Sequence, residues 1–161
     1  MGLSDVSNIL WRERQLLELL LFKLEEEQLV LASGRARWLS HATREVEMVL
    51  AEIKRVELDR AIRVEEAAAQ LGCSSSPTLR ELGERAPAPW AKILADHRIA
   101  LLELAQEIDA LAQTNRDLLG RGYRATQEAL ASLIEPHVDT YTPTGATQSP
   151  SGRLGLVNES L

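Results

Sequence analysis

Leucines at positions 3, 10, 17, 24 and 31 recur in steps of seven, and Val6 and Leu20 fill alternate layers between them. That spacing predicts a helix with a coiled-coil seam sustained over about four heptads. Ser4 or Asp5 is placed to cap its start. Leu16, Leu19, Leu21 and Phe22 widen the stripe, so this helix asks for more than one partner surface. Ser33-Gly34 ends it, glycine being suited to a left-handed cap. A second helix is expected over 37–71, with Leu39, Ala42, Val46, Val49, Ile53 and Val56 at steps of three and four. After Arg60 the stripe thins to Ile62, Val64, Ala67, Ala68 and Leu71. So short a turn makes the two helices antiparallel neighbours, a hairpin ~50 Å long at 1.5 Å per residue.

The run 72–77 breaks the pattern. Pro77 suits the start of a short helix over 78–85 capped by Ser76, and Ala86-Pro87-Ala88-Pro89 is a second break. From Trp90 a long helix resumes, with Leu94, His97, Leu101, Leu104, Ile108, Leu111, Asn115 and Leu118 alternating at three and four. The register then fails at Gly120-Arg121-Gly122 and restarts one residue late as Tyr123, Thr126, Leu130 and Leu133-Ile134. Two glycines at about 1 kcal/mol each, placed where the seam slips, predict a kink or hinge. Pro136 stops the helix. The expected fold is therefore all-α: a long antiparallel hairpin plus a long C-terminal helix in a coiled-coil-like bundle over 1–135. Residues 136–161, rich in Thr, Ser, Gly and Pro, are expected to form a disordered tail, although Leu154, Leu156 and Val157 leave it something to dock with.

Composition agrees with helices packed by leucine layers, since only 4% of the residues are aromatic. A net charge of −6 argues against a nucleic-acid binder, which needs a basic stripe. The most apolar run, 16–24, contains Glu18 and Lys23 and is too short to insert in a membrane. No export signal is expected, and a single cysteine, Cys73, fits a reducing cytosol.

Catalysis fails on inventory. His41, His97 and His137 form no metal-ligand spacing, Cys73 has no nearby histidine, and no glycine-rich phosphate loop is present, so no enzyme, metal or cofactor is expected. His97, on the apolar side, reads as a core histidine. The run Glu25-Glu26-Glu27 reads as solvated, and Trp11, Trp38 and Trp90 as packing over bundle ends. Asn115 is open between fixing register and facing a partner. What remains is apolar surface, which suits either an amphipathic helix bound in a groove or self-association through the leucine seam.

Four groups of residues resemble the FlgN family of flagellar type III export chaperones. They are Leu111-x-x-x-Asn115-x-x-Leu118-Leu119, Gln127-x-Ala129-Leu130, Pro136-His137 and Tyr141-x-x-x-Gly145. The resemblance covers about 10–145, and its C-terminal third is the specific part. It implies a cytoplasmic chaperone that holds the C-terminal amphipathic segment of hook-associated proteins, prevents early assembly and presents the client to the export gate. Asn115, Leu118, Leu119, Tyr123, Leu130, Leu133 and Ile134 are the client-binding residues it implies. Tyr141 and Gly145 are those implied for docking on the cytoplasmic domain of the gate. The family usually has glycine after the tail tyrosine, whereas here Thr142 and Pro143 follow, so a different local turn is expected. The alternative that stays open is a structural coiled coil that self-associates.

Overall fold

The computed structural model describes residues 2–133, and these are all-helical apart from turns. Four α-helices follow in order: α1 (Gly2–Ser33), α2 (Leu39–Leu71), α3 (Leu79–Arg85) and α4 (Trp90–Leu133), with a 3-10 turn at Ala36–Trp38 before α2. Between residues 3 and 33, and again between 39 and 71, there is no glycine or proline, so nothing interrupts either long helix.

Glycine supplies both hairpin-forming stops. Gly34 and Gly72 sit at φ 68° and 66°, in the left-handed region. At Gly72 the closure is a Schellman motif: the Gly72 amide donates to the Ala69 carbonyl at 3.4 Å and the Cys73 amide to the Ala68 carbonyl at 2.9 Å.

α1 is the central strut. It packs against α2 on one side and α4 on the other, while no Cα of α2 comes within 8 Å of α4 among the described residues. Cross-links fix each register. Lys23 Nζ meets Glu45 at 3.0 Å and Arg12 meets Glu52 at 2.6 Å, so α2 runs antiparallel to α1. On the other side Ser7 Oγ meets His97 Nε2 at 3.2 Å and Asn115 Nδ2 meets the Leu24 carbonyl at 2.9 Å, so α4 runs parallel to α1. The short α3 turns the chain at the base, where Leu79 and Leu82 join the core.

Val6, Leu10, Leu17, Leu20 and Leu24 of α1 are buried between Val46, Val49 and Ile53 of α2 and Leu94, Leu101 and Ile108 of α4. At roughly 1.5–3 kcal/mol for each fully buried Val or Leu, this shared layer holds the three helices together.

Several details differ from the sequence reading. α1 already includes Gly2. The cap of α3 is Thr78, not Ser76: its hydroxyl accepts from the Glu81 amide at 3.2 Å, and the Glu81 carboxylate accepts from the Thr78 amide at 2.8 Å. That reciprocal capping box satisfies two free donors at once, which Ser76, in a turn at φ 55°, does not. Ile62 is exposed, and Arg60 takes the buried position beside it. Trp11 lies along the side of α1 rather than at an end, with its ring edge-on to His97 at 5.0 Å and under the Arg14 guanidinium at 4.3 Å. Glu27 is not merely solvated, since its carboxylate accepts from Asn115 and from Thr43.

The most consequential correction concerns Gly120 and Gly122. α4 continues through both without interruption to Leu133. Around each glycine there is open space, and the flanking Leu118, Leu119, Arg121, Arg124 and Ala125 are good helix formers. A glycine cost of about 1 kcal/mol weakens such a helix without ending it.

Candidate protein-binding face

The apparent slip in register comes from measuring a continuous helix against a seven-residue repeat. At 3.6 residues per turn an α-helix drifts ~20° per heptad from a strict 3.5 repeat, and a step of four followed by four absorbs that drift. With ~100° per residue, Leu94, His97, Leu101, Ile108, Asn115, Leu119, Tyr123, Leu130 and Leu133 all fall within about 40° of one line along α4. The line that buries Leu94, Leu101 and Ile108 against α1 is the line that carries Leu119, Tyr123, Leu130 and Leu133.

What changes along the line is the neighbour. The contacts Ser7–His97 and Leu24–Asn115 place Ser33, the last residue of α1, opposite roughly 123. α4 then runs on for about ten residues, or ~15 Å, past the end of its partner. Its core-facing stripe becomes exposed towards and beyond that end: Leu119 is 51% and Tyr123 65% exposed beside the last turns of α1, and Leu130 is 54% and Leu133 79% exposed past it.

Of the residues expected to bind a client, these four are brought together on one face. Leu118 is half-buried and lies ~100° to one side of the line. Asn115 is on the line but turned into the bundle, with its amide donating to the Leu24 carbonyl and to Glu27 Oε1 at 3.0 Å. The assignment of its nitrogen follows from those two acceptors. Its Oδ1 is buried and accepts no hydrogen bond. Ile134, Tyr141 and Gly145 lie outside the described residues.

Beside the stripe, the space between α2 and α4 forms an open groove of about 360 Å³ above α1. Leu24 and Leu31 make its floor, Leu39, Val46 and Leu50 one wall, and Ala112, Asn115 and Leu119 the other. The sequence pattern places Leu31 and Leu39 in the seam of a hairpin, whereas here they line the groove. The signal that they line a surface is that α1 carries two stripes while only two helices meet it here, which leaves a third side open.

The electrostatics of the face are modest. Arg116 is exposed about 60° from the line, while Arg121 and Arg124 are exposed on the far side of α4. Among the described residues no group of three or more His, Cys, Asp or Glu side chains is arranged to hold a metal, and no helix is long and apolar enough to cross a membrane. His97 is a packed core residue: burial first, and the Arg14 guanidinium second, push its pKa below the usual imidazole range.

A helical frame that leaves a continuous apolar stripe and a groove unpartnered has the form of a protein-binding module rather than a catalytic one. The match to known families agrees. The model for FlgN protein matches residues 1–149, and the chain belongs to the FlgN family, a family of flagellar export chaperones that bind hook-associated proteins. Among curated proteins and among solved structures no match is found.

Proposed function

We propose that this chain is a cytoplasmic chaperone that holds the C-terminal amphipathic segment of a hook-associated protein on the exposed stripe of α4 and presents it to the export gate. The observation that carries the reading is the single line of Leu119, Tyr123, Leu130 and Leu133 left exposed as α4 reaches and then passes the end of α1. An amphipathic helix laid along that stripe buries these anchors, at i, i+4, i+11 and i+14, against its own apolar face, so each covers what the other exposes. Held in this way, the client's segment is unavailable for assembly. Ile134 extends the stripe by its spacing, and Leu118 and Asn115 border it. Arg116, about 60° from the line, favours a client with an acidic residue flanking the apolar ones. Tyr141 and Gly145 are the residues proposed for docking on the cytoplasmic domain of the gate. No nucleic acid, membrane insertion or cofactor enters the reading.

Calorimetric titration with a C-terminal peptide of the cognate hook-associated proteins tests it. Binding at micromolar affinity or tighter is expected, with Leu130→Asp abolishing it while leaving the circular dichroism spectrum and melting temperature unchanged. No binding by the wild type to any such client, or undiminished binding by the variant, overturns the proposal.

A further inference from the structure

The groove between α2 and α4 differs from the stripe in having polar atoms built into an apolar lining. Glu27 lies on its α1 side and Arg116 on its α4 side, and the buried Asn115 Oδ1 at its edge is left without a donor. A fit occupant is short, apolar at its centre and charged with opposite signs at its ends. Residues 153–159 of this same chain read Arg-Leu-Gly-Leu-Val-Asn-Glu, and they lie beyond the residues matched by the family model. This is the one apolar cluster that follows a long polar stretch of Thr, Ser, Gly and Pro.

Reach supports the assignment. From Leu133 back to the groove at Asn115 and Leu119 is ~20–27 Å along α4 at 1.5 Å per residue. For a linker of this composition, the 21 residue steps from Leu133 to Leu154 give an r.m.s. span of about 25 Å. A linker whose r.m.s. length matches the gap gives the highest effective concentration, on the order of millimolar, so even a weak contact is well populated.

We propose that Leu154, Leu156 and Val157 dock in the groove between α2 and α4 as an internal occupant. Because the groove adjoins Leu119, the docked segment competes with the client for the near end of the stripe, a consequence that rests on the chaperone reading above. Docking itself does not depend on that reading.

The test compares the full chain with a variant carrying Leu154→Ser, Leu156→Ser and Val157→Ser, all outside the described residues. By methyl NMR, Leu39, Val46 and Leu119 should differ in shift between the two proteins, and equally so on dilution. Affinity for the client peptide should rise about threefold to tenfold in the variant as the competitor is removed. Identical methyl spectra overturn the docking. Differences that vanish on dilution place a second copy in the groove and also overturn it. Shifted methyls with unchanged client affinity overturn the competition. Shifted methyls in a protein that binds no client uphold the docking and overturn the chaperone reading alone.

Discussion

The side-chain amide of Asn115 reaches the backbone carbonyl of Leu24 at 2.9 Å, and it is the last buried side chain of α4 before the stripe is uncovered. A polar residue in an apolar seam is tolerable when it finds a partner at only one register, and Leu24 with Glu27 supplies that partner. Asn115→Ala is expected to lower the stability of the bundle by roughly 1 kcal/mol, read from the urea midpoint. Asn115→Leu should be neutral or stabilising, yet relax the parallel pairing so that sedimentation shows associated species absent from the wild type. A Leu variant that is both markedly less stable and monomeric would show that register is not what the amide supplies.

Gly120 and Gly122 lie within a continuous helix, and a Cβ added at either meets nothing within 4 Å. Alanine at each position should therefore stabilise this part of α4 by about 0.5–1 kcal/mol. Because both residues lie near the uncovered end, the gain belongs to local opening rather than to global unfolding. Amides around 116–126 should exchange a few times more slowly in the double variant, while the global melting temperature moves little. Client affinity should not fall; a large loss in the double alanine variant would reinstate a hinge.

The sequence made α1 and the antiparallel hairpin legible because leucines at steps of seven, a clean absence of breakers and Gly34 all speak to the same local structure. The extent of α4 was legible as well. What misled was the junction at Gly120, where a seven-residue yardstick turned ordinary helical drift into an apparent defect. The uncovering of Leu130 and Leu133 was not legible from α4 alone, because it is set by the length of α1 and by the offset that Leu24–Asn115 imposes. Glu13 was missed for a similar reason. It occupies the layer position between Val6 and Leu20, a visible gap in the heptad, and its partner Arg60 sits where the α2 stripe thins. Each looked like a local imperfection; the register fixed by Lys23–Glu45 and Glu27–Thr43 brings the two together.

If Tyr141 docks on the export gate, Tyr141→Ala should impair motility while leaving the affinity for client peptide unchanged in solution. The two functions are separable because the stripe on α4 ends before the tyrosine in the sequence. Swimming at the wild-type rate in a soft-agar assay would remove the tyrosine from the gate.

Arg60 Nη1 lies 3.0 Å from both carboxylate oxygens of Glu13, with both side chains buried between α1 and α2. A single guanidinium nitrogen is shared across the carboxylate, and Glu57 adds a second carboxyl nearby. Burial pushes Glu13 up to about 7, with Arg60 opposing and Glu57 adding to the rise. Burial likewise raises Glu57 above the usual carboxylate range. A carboxyl raised above its unfolded value of 4.5 is protonated more readily in the folded chain. Its contribution to stability is therefore fully present below about pH 4.5 and is lost as pH rises through about 7. For Glu13 alone the loss amounts to roughly 3 kcal/mol at most, at 1.36 kcal/mol per unit. The wild type should accordingly show a higher urea midpoint at about pH 5 than at about pH 8, and Glu13→Gln, which keeps an acceptor for Arg60 but cannot titrate, should flatten most of that difference. At the higher pH, Arg60→Met should cost roughly 3–5 kcal/mol by leaving the buried carboxylate without its cation, and adding Glu13→Leu should restore most of it. Equal slopes in the wild type and Glu13→Gln would mean that the pair remains ionised throughout, with Arg60 rather than burial deciding its protonation.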